Sequence, residues 1–152
     1  MNMEKIKILP VYPEVPKTFW SFNKSLEYIG KKSTMPPVGL LTALAMLPEE
    51  RFDVSRVIDL NVESLRNKDL EDSDFVFTSA MIIQENSLEE IVKKAHSLGK
   101  RVVGGGPYPT SYSEKCFNAG LDYIVSGEAE VTLPGFLEDL SNGNAKRIYT
   151  SE

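Results

Sequence analysis

The 152-residue sequence is 41% hydrophobic with a formal net charge of −5, which is enough chain for one domain with a proper core. Its charges are interspersed rather than blocked, so neither a nucleic-acid partner nor a membrane surface is indicated. The single cysteine, Cys116, excludes an internal disulfide, excludes an iron–sulfur cluster or Cys-rich zinc site held by this chain alone, and fits a reducing cytoplasm.

Met1-Asn2-Met3-Glu4-Lys5 leads directly into a strand-like run, so no signal peptide is expected, and no apolar run is long enough to span a membrane. Ile6 to Tyr12 reads as a first strand closed by Pro13. About 23 residues, roughly 13–35, then separate it from the first helix, against ~2–6 for an ordinary strand-to-helix loop. This insert carries Phe19, Trp20, Phe22, Tyr28, Lys31 and Lys32, and is expected to be a lid or ligand wall, or else a satellite hydrophobic cluster or partner surface. Pro37 to Leu47 reads as a mostly buried helix with a proline near each end.

Asp53 to Leu60 is predicted as the second strand and Phe75 to Ala80 as the third, apolar on both faces as a central parallel strand should be. Ser87-Leu88-Glu89-Glu90 has the pattern of a capping box. The helix it would start places Leu88, Ile91, Val92, Ala95 and Leu98 on one stripe before Gly99. Its polar side carries His96, the only histidine, expected to be solvated rather than a ligand or base.

Arg101 to Val103 is the predicted fourth strand, and Gly104-Gly105-Gly106 follows it directly. Consecutive glycines leave bare backbone at a sheet edge, either for a flat ligand or simply for a tight turn. A short helix from about Ser113 to Ala119, with Cys116 as a small buried residue, precedes a fifth strand, Tyr123 to Val125. The last helix is predicted from about Glu130 to Leu140. Glu128 and Glu130 before it read either as paired acid–base carboxylates or as helix-dipole and amide caps.

Five strands alternating with helices predict an α/β fold: a doubly wound, flavodoxin-like (Rossmann-like) five-stranded parallel sheet of order 2-1-3-4-5. Ser79, the triple glycine and Ser126-Gly127-Glu128 then share the carboxyl edge of the sheet, where ligands of such folds bind. Known alternatives fail on what is missing. There is no acidic pair after strand one for a phosphate-accepting receiver, no Gly-Lys-Ser/Thr phosphate loop, and no dinucleotide fingerprint at the first turn.

The chain resembles the cobalamin (B12)-binding domain that precedes the catalytic barrel in many radical S-adenosylmethionine (radical SAM) enzymes. The resemblance is closest to the subgroup that includes the hopanoid methylases. It rests on Val11-Tyr12-Pro13-Glu14, Thr18-Phe19-Trp20-Ser21-Phe22, Pro36-Pro37-Val38-Gly39-Leu40-Leu41-Thr42, Asp59-Leu60-Asn61, Ser79-Ala80-Met81-Ile82-Ile83-Gln84, Gly104-Gly105-Gly106-Pro107, and Gly127-Glu128-Ala129-Glu130 with Thr132-Leu133-Pro134. It implies that Ser79, Ala80, Met81, Gly104, Gly105, Gly106 and Pro107 make room for the cofactor's nucleotide tail. It further implies that Tyr12 and Gly39 border the corrin, and that Gly127 and Glu128 close the far side.

Many members of the wider family carry Asp-x-His-x-x-Gly, whose histidine ligates cobalt. Aligned on Gly39, that position is Pro36, which has no donor atom. The resemblance therefore implies base-off, His-off cobalamin, with Trp20, Tyr28 or Met35 available to cover the lower face. It also implies a methyltransferase whose S-adenosylmethionine and 4Fe-4S cluster belong to a C-terminal radical SAM barrel absent from this chain. Residues 1–145 would be the cofactor domain, 146–152 the start of a linker, and the substrate a small molecule or lipid. On that reading the fragment binds its cofactor without running the reaction. The competing readings are a degenerate module that binds no cofactor and acts as a lid or interaction domain, and a free-standing corrinoid carrier, which the missing histidine disfavours.

Overall fold

Ile6–Tyr12 forms strand β1 at the heart of a parallel sheet, with partners on both sides. A computed structural model describes residues 4–18, 23–33 and 36–151. After β1 come helices α1 (Asn23–Tyr28) and α2 (Val38–Leu44), strands β2 (Phe52–Val54) and β3 (Ile58–Asp59), and helix α3 (Asn67–Glu71). Strand β4 (Phe75–Ser79), a 3-10 turn (Ile82–Gln84), α4 (Glu85–Ser97) and β5 (Arg101–Gly105) follow. The chain continues through α5 (Pro107–Ser111), α6 (Ser113–Asn118), β6 (Tyr123–Val125), α7 (Ala129–Ser141) and β7 (Ile148–Tyr149).

The sheet has seven strands among the described residues, in the order β2-β1-β4-β5-β6-β7, with β3 also pairing β1, rather than five in the order 2-1-3-4-5. Two local causes account for the difference. The predicted second strand is broken into β2 and β3, and Pro10 explains the break. Along β1 the odd-numbered residues face β4, as the Asp74 N–H to Lys7 carbonyl bond shows, while Ile8 and Tyr12 accept from Ser55 and Leu60 on the other side. Pro10 faces that second side and has no N–H to give, so the ladder fails there and resumes at Val11↔Ile58. The second cause is β7, which pairs with β6 through a segment expected to be linker. The folded unit thus runs on through Tyr149.

Side chains alternate strictly between two cores. Leu9, Val76, Val102 and Ile124 face one cluster, completed by Leu88, Ile91, Val92 and Ala95 of α4 together with Tyr108, Cys116 and Leu121. Ile8, Phe75, Phe77, Val103 and Val125 face the other, packed on Leu40 of α2 and Leu133, Phe136, Leu137 and Leu140 of α7. Fully burying each large aliphatic contributes ~1.5–3 kcal/mol before side-chain ordering is counted.

The α4 stripe is as expected, but its start is not. The chain is already helical from Ile82, so Ser87 lies inside the helix and its Oγ accepts the Glu14 N–H at 2.8 Å. The reach-back predicted for Glu90 is made by Gln84, whose Oε1 accepts the Met81 N–H at 2.9 Å. His96 is exposed, as expected, and also paired: its Nε2 lies 2.8 Å from Asp122 Oδ2, an oxygen that also accepts the Val102 N–H at 2.7 Å. No helix among the described residues is long and apolar enough to cross a membrane.

The insert leaves β1 under restraint. The Pro13 carbonyl accepts from Gln84 Nε2 at 2.7 Å and Asn61 Nδ2 at 3.2 Å, and Asn61 Oδ1 accepts the Val15 N–H at 2.9 Å. Gln84 is wholly buried. Its replacement by leucine strips one bond from Pro13 and strands the Met81 amide, so Gln84→Leu is expected to destabilise the fold by ~1–3 kcal/mol in urea denaturation.

Candidate functional site

The carboxyl ends of β4 and β5 are held together by backbone alone. The Ala80 N–H donates to the Gly105 carbonyl at 3.1 Å, and the Ala80 carbonyl accepts the Tyr108 N–H at 2.9 Å. Between them Gly106 sits at φ +91, ψ −177, a region closed to side chains. A Cβ there would lie 2.6 Å from Ser79 Oγ and 3.1 Å from the Ala80 nitrogen. Gly106 thus supplies both the turn and the close approach.

Beside this junction a cleft of about 370 Å³ opens between the sheet and helices α2 and α7, within the ~300–1,000 Å³ typical of small-molecule sites. Gly39, Leu40 and Ala43 form one wall, and Phe77, Ser79, Val103 and Gly104 to Pro107 form the floor. Val125, Gly127, Ala129, Glu130 and Leu133 form the far wall. Seven of the sequence-predicted positions are therefore brought together: Gly39, Ser79, Gly104, Gly105, Gly106, Pro107 and Gly127.

The three glycines do different work. Gly104 turns away from the cleft, where a Cβ would meet Leu121 Cδ1 at 2.5 Å, so its bareness serves core packing. Gly105 shares the face of Val103 and lies on the cleft side. A Cβ there would meet only the Val125 carbonyl, at 3.3 Å, so Gly105 is the glycine that leaves the floor clear. A Cβ on Gly39 would meet nothing within 4 Å, so α2 presents an open face.

The other predicted residues lie around the cleft rather than in it. Ala80 is buried beneath the junction, and Met81 is half-buried at the start of the 3-10 turn. Tyr12 is half-buried against the α2–α7 core, and Pro36 is exposed before α2. Glu128 stands at the N-cap of α7 but its side chain caps no amide, contrary to the capping expectation, and it is exposed. Tyr28 is 92% exposed at the end of α1. Trp20, Phe19, Phe22 and Met35 lie outside the described residues.

Behind β5, burial pushes the Tyr108 phenol and the Cys116 thiol up from their ordinary values, which keeps both protonated. Among the described residues no three His, Cys, Asp or Glu side chains are grouped to hold a metal ion.

A family model described as the B12 binding domain matches residues 31–137. The chain belongs to the B12-binding domain family. Cobalamin-binding domains need room for a flat heteroaromatic appendage, and an apolar cleft floored by Gly105 fits that need. The chain is 37% identical over 148 residues to an uncharacterized methyltransferase of Synechocystis sp., covering 97% of this chain and 27% of that protein. It is 29% identical over 151 residues to the hopanoid C-2 methylase of Rhodopseudomonas palustris, covering 96% and 28%. The chain thus spans little more than a quarter of these relatives. The N-terminal domain of a hypothetical protein of Thermotoga maritima shares the fold, with a TM-score of 0.51 and 22% identity over 76% of this chain and 89% of that one.

Sequence reasoning missed Asn61 and Gln84 as the amides that anchor the insert at Pro13, although both lay inside quoted motifs. An amide residue in a run that is otherwise apolar was the available signal. The two glycines that frame the cleft should separate cleanly by stability. Gly106→Ala is expected to cost ~1–3 kcal/mol in thermal or urea denaturation, whereas Gly39→Ala, in a helix with open space beside it, should be neutral or stabilising by up to about 1 kcal/mol.

Proposed function

We propose that this cobalamin-binding domain holds its cofactor base-off and His-off, and serves a radical SAM methyltransferase. The observation that carries the reading is an apolar cleft at the carboxyl edge of the sheet with no imidazole on its side. The only histidine, His96, lies on α4, on the opposite face, and is paired with Asp122. At the position of the family's ligating histidine stands Pro36, exposed and without a donor atom.

On this reading Val103, Gly105 and Ser79 receive the displaced nucleotide tail, with the Ser79 hydroxyl as its hydrogen-bond partner. Gly39 and Tyr12 border the corrin, Pro107 and Gly127 flank the tail, and Glu128 meets a corrin amide from the far side. Pro36 lies toward the lower face, and Trp20, outside the described residues, is assigned there from the family resemblance alone. Ala80, Met81, Gly104 and Gly106 act at one remove, by fixing the strand ends. Bound cobalamin supplies a cobalt centre able to carry a methyl group, a use favoured by the methyltransferase and methylase names of the relatives. S-adenosylmethionine and a 4Fe-4S cluster would be held by a separate catalytic barrel acting on a small-molecule or lipid substrate, because one buried cysteine cannot hold a cluster. The cytoplasm is the compartment that suits this chemistry and the free thiol.

Incubation with hydroxocobalamin followed by desalting should leave a retained corrinoid with a base-off visible spectrum, unchanged in His96→Ala. Gly105→Val puts two methyl groups into the cleft and should weaken binding about tenfold or more, at a stability cost of no more than about 1 kcal/mol. Equal cobalamin binding by Gly105→Val and the parent chain, or no retention by either, would instead favour a module that binds no cofactor in this cleft.

A further inference from the structure

Resting on the cofactor reading above, we infer that the cleft selects the lower base of the corrinoid, accepting a benzimidazole and discriminating against a purine. The inference comes from the hydrogen-bonding capacity that the cleft has left to offer. Its inner wall is formed by Leu40, Phe77, Val103, Val125 and Leu133, all buried and none polar.

Backbone groups at the junction of the strand ends are already committed. The Ala80 N–H is taken by Gly105, the Ala80 carbonyl by Tyr108, the Gly106 carbonyl by Thr110, and the Gly127 N–H by Thr110 Oγ1 at 3.0 Å. The Thr42 hydroxyl donates to the Val38 carbonyl. Thr78 alternates to the opposite face, since its neighbour Phe77 belongs to the cleft-side core and Val76 to the other. Glu130 is exposed in the first turn of α7, where its carboxylate meets water and offers acceptors only. Of the hydroxyls that line the cleft, the half-buried one of Ser79, on the cleft face of β4, remains.

One hydroxyl matches one need. A benzimidazole released from cobalt exposes a single unprotonated ring nitrogen, and the Ser79 hydroxyl can donate to it. An adenine in the same place has several ring nitrogens and an exocyclic amino group. All but one of these would be pressed against aliphatic and aromatic carbon after losing their water. Each such unpaired group costs ~1–3 kcal/mol, whereas the two bases differ little in the area they bury.

The test is an equilibrium titration of the 152-residue chain, followed by visible absorption, with cobalamin, with its adeninyl analogue, and with cobinamide, which has no base. Each constant is corrected for the free corrinoid's own base-on/base-off equilibrium. The expected order is cobalamin tightest, with the adeninyl corrinoid weaker by about tenfold or more, and cobinamide also weaker than cobalamin. Ser79→Ala should weaken cobalamin several-fold and leave cobinamide unchanged, with folding checked by circular dichroism. Equal binding of cobalamin and the adeninyl corrinoid, both tighter than cobinamide, overturns base selection while leaving the tail in the cleft. Cobinamide binding as tightly as cobalamin, or no binding of any of the three, overturns the cofactor reading beneath it.

Discussion

The reciprocal bonds between Ala80, Gly105 and Tyr108 are the constraint on which the rest of this domain depends. They bring the ends of β4 and β5 together where only a glycine at φ +91 can follow, and so end the sheet in backbone rather than side chain. A strand end finished in this way leaves the cleft floor bare of side chains at Gly105 and Gly106.

The two faces of the sheet divide the labour. On one, α4 and the Tyr108–Cys116–Leu121 group close down until Leu121 fills the space that Gly104 leaves. On the other, α2 and α7 pack tightly toward the amino ends of the strands and part at the carboxyl ends. Both faces carry a buried core, and the cleft opens only on the parted one. The same division places the lone histidine with the closed face, and its link through Asp122 to Val102 joins α4 to β5 and to the bend that enters β6.

Much of this was legible in the chain. The apolar run from Phe75, fit for burial on both faces, and the helical stripe from Leu88 to Ala95 identified the parallel sheet and one of its covers. The triple glycine marked the floor. What the sequence hid was which way each glycine faces, because Gly104, Gly105 and Gly106 look alike until strand alternation and Leu121 assign them. The Ser87 capping pattern misled because helical turns had already begun at Ile82. The break in the second strand was not foreseen, because only the pairing shows that the missing N–H of Pro10 faces β2 and β3 rather than β4. The Pro13 anchor was invisible because Asn61 and Gln84 lie 48 and 71 residues from it.

The interruption at Pro10 also bears on how this molecule meets its neighbours. A second strand running unbroken from Asp53 to Leu60 would line one border of the sheet with a long row of free amides and carbonyls, open to hydrogen bonding by another copy. Pro10 reduces that border to two short pieces separated by Ser55-Arg56-Val57, with Arg56 held at 2.6 Å by Glu63. The opposite border is the two-residue β7. A single imino acid in the centre of the fold thus shortens the template that the β2–β3 border offers for sheet-to-sheet growth.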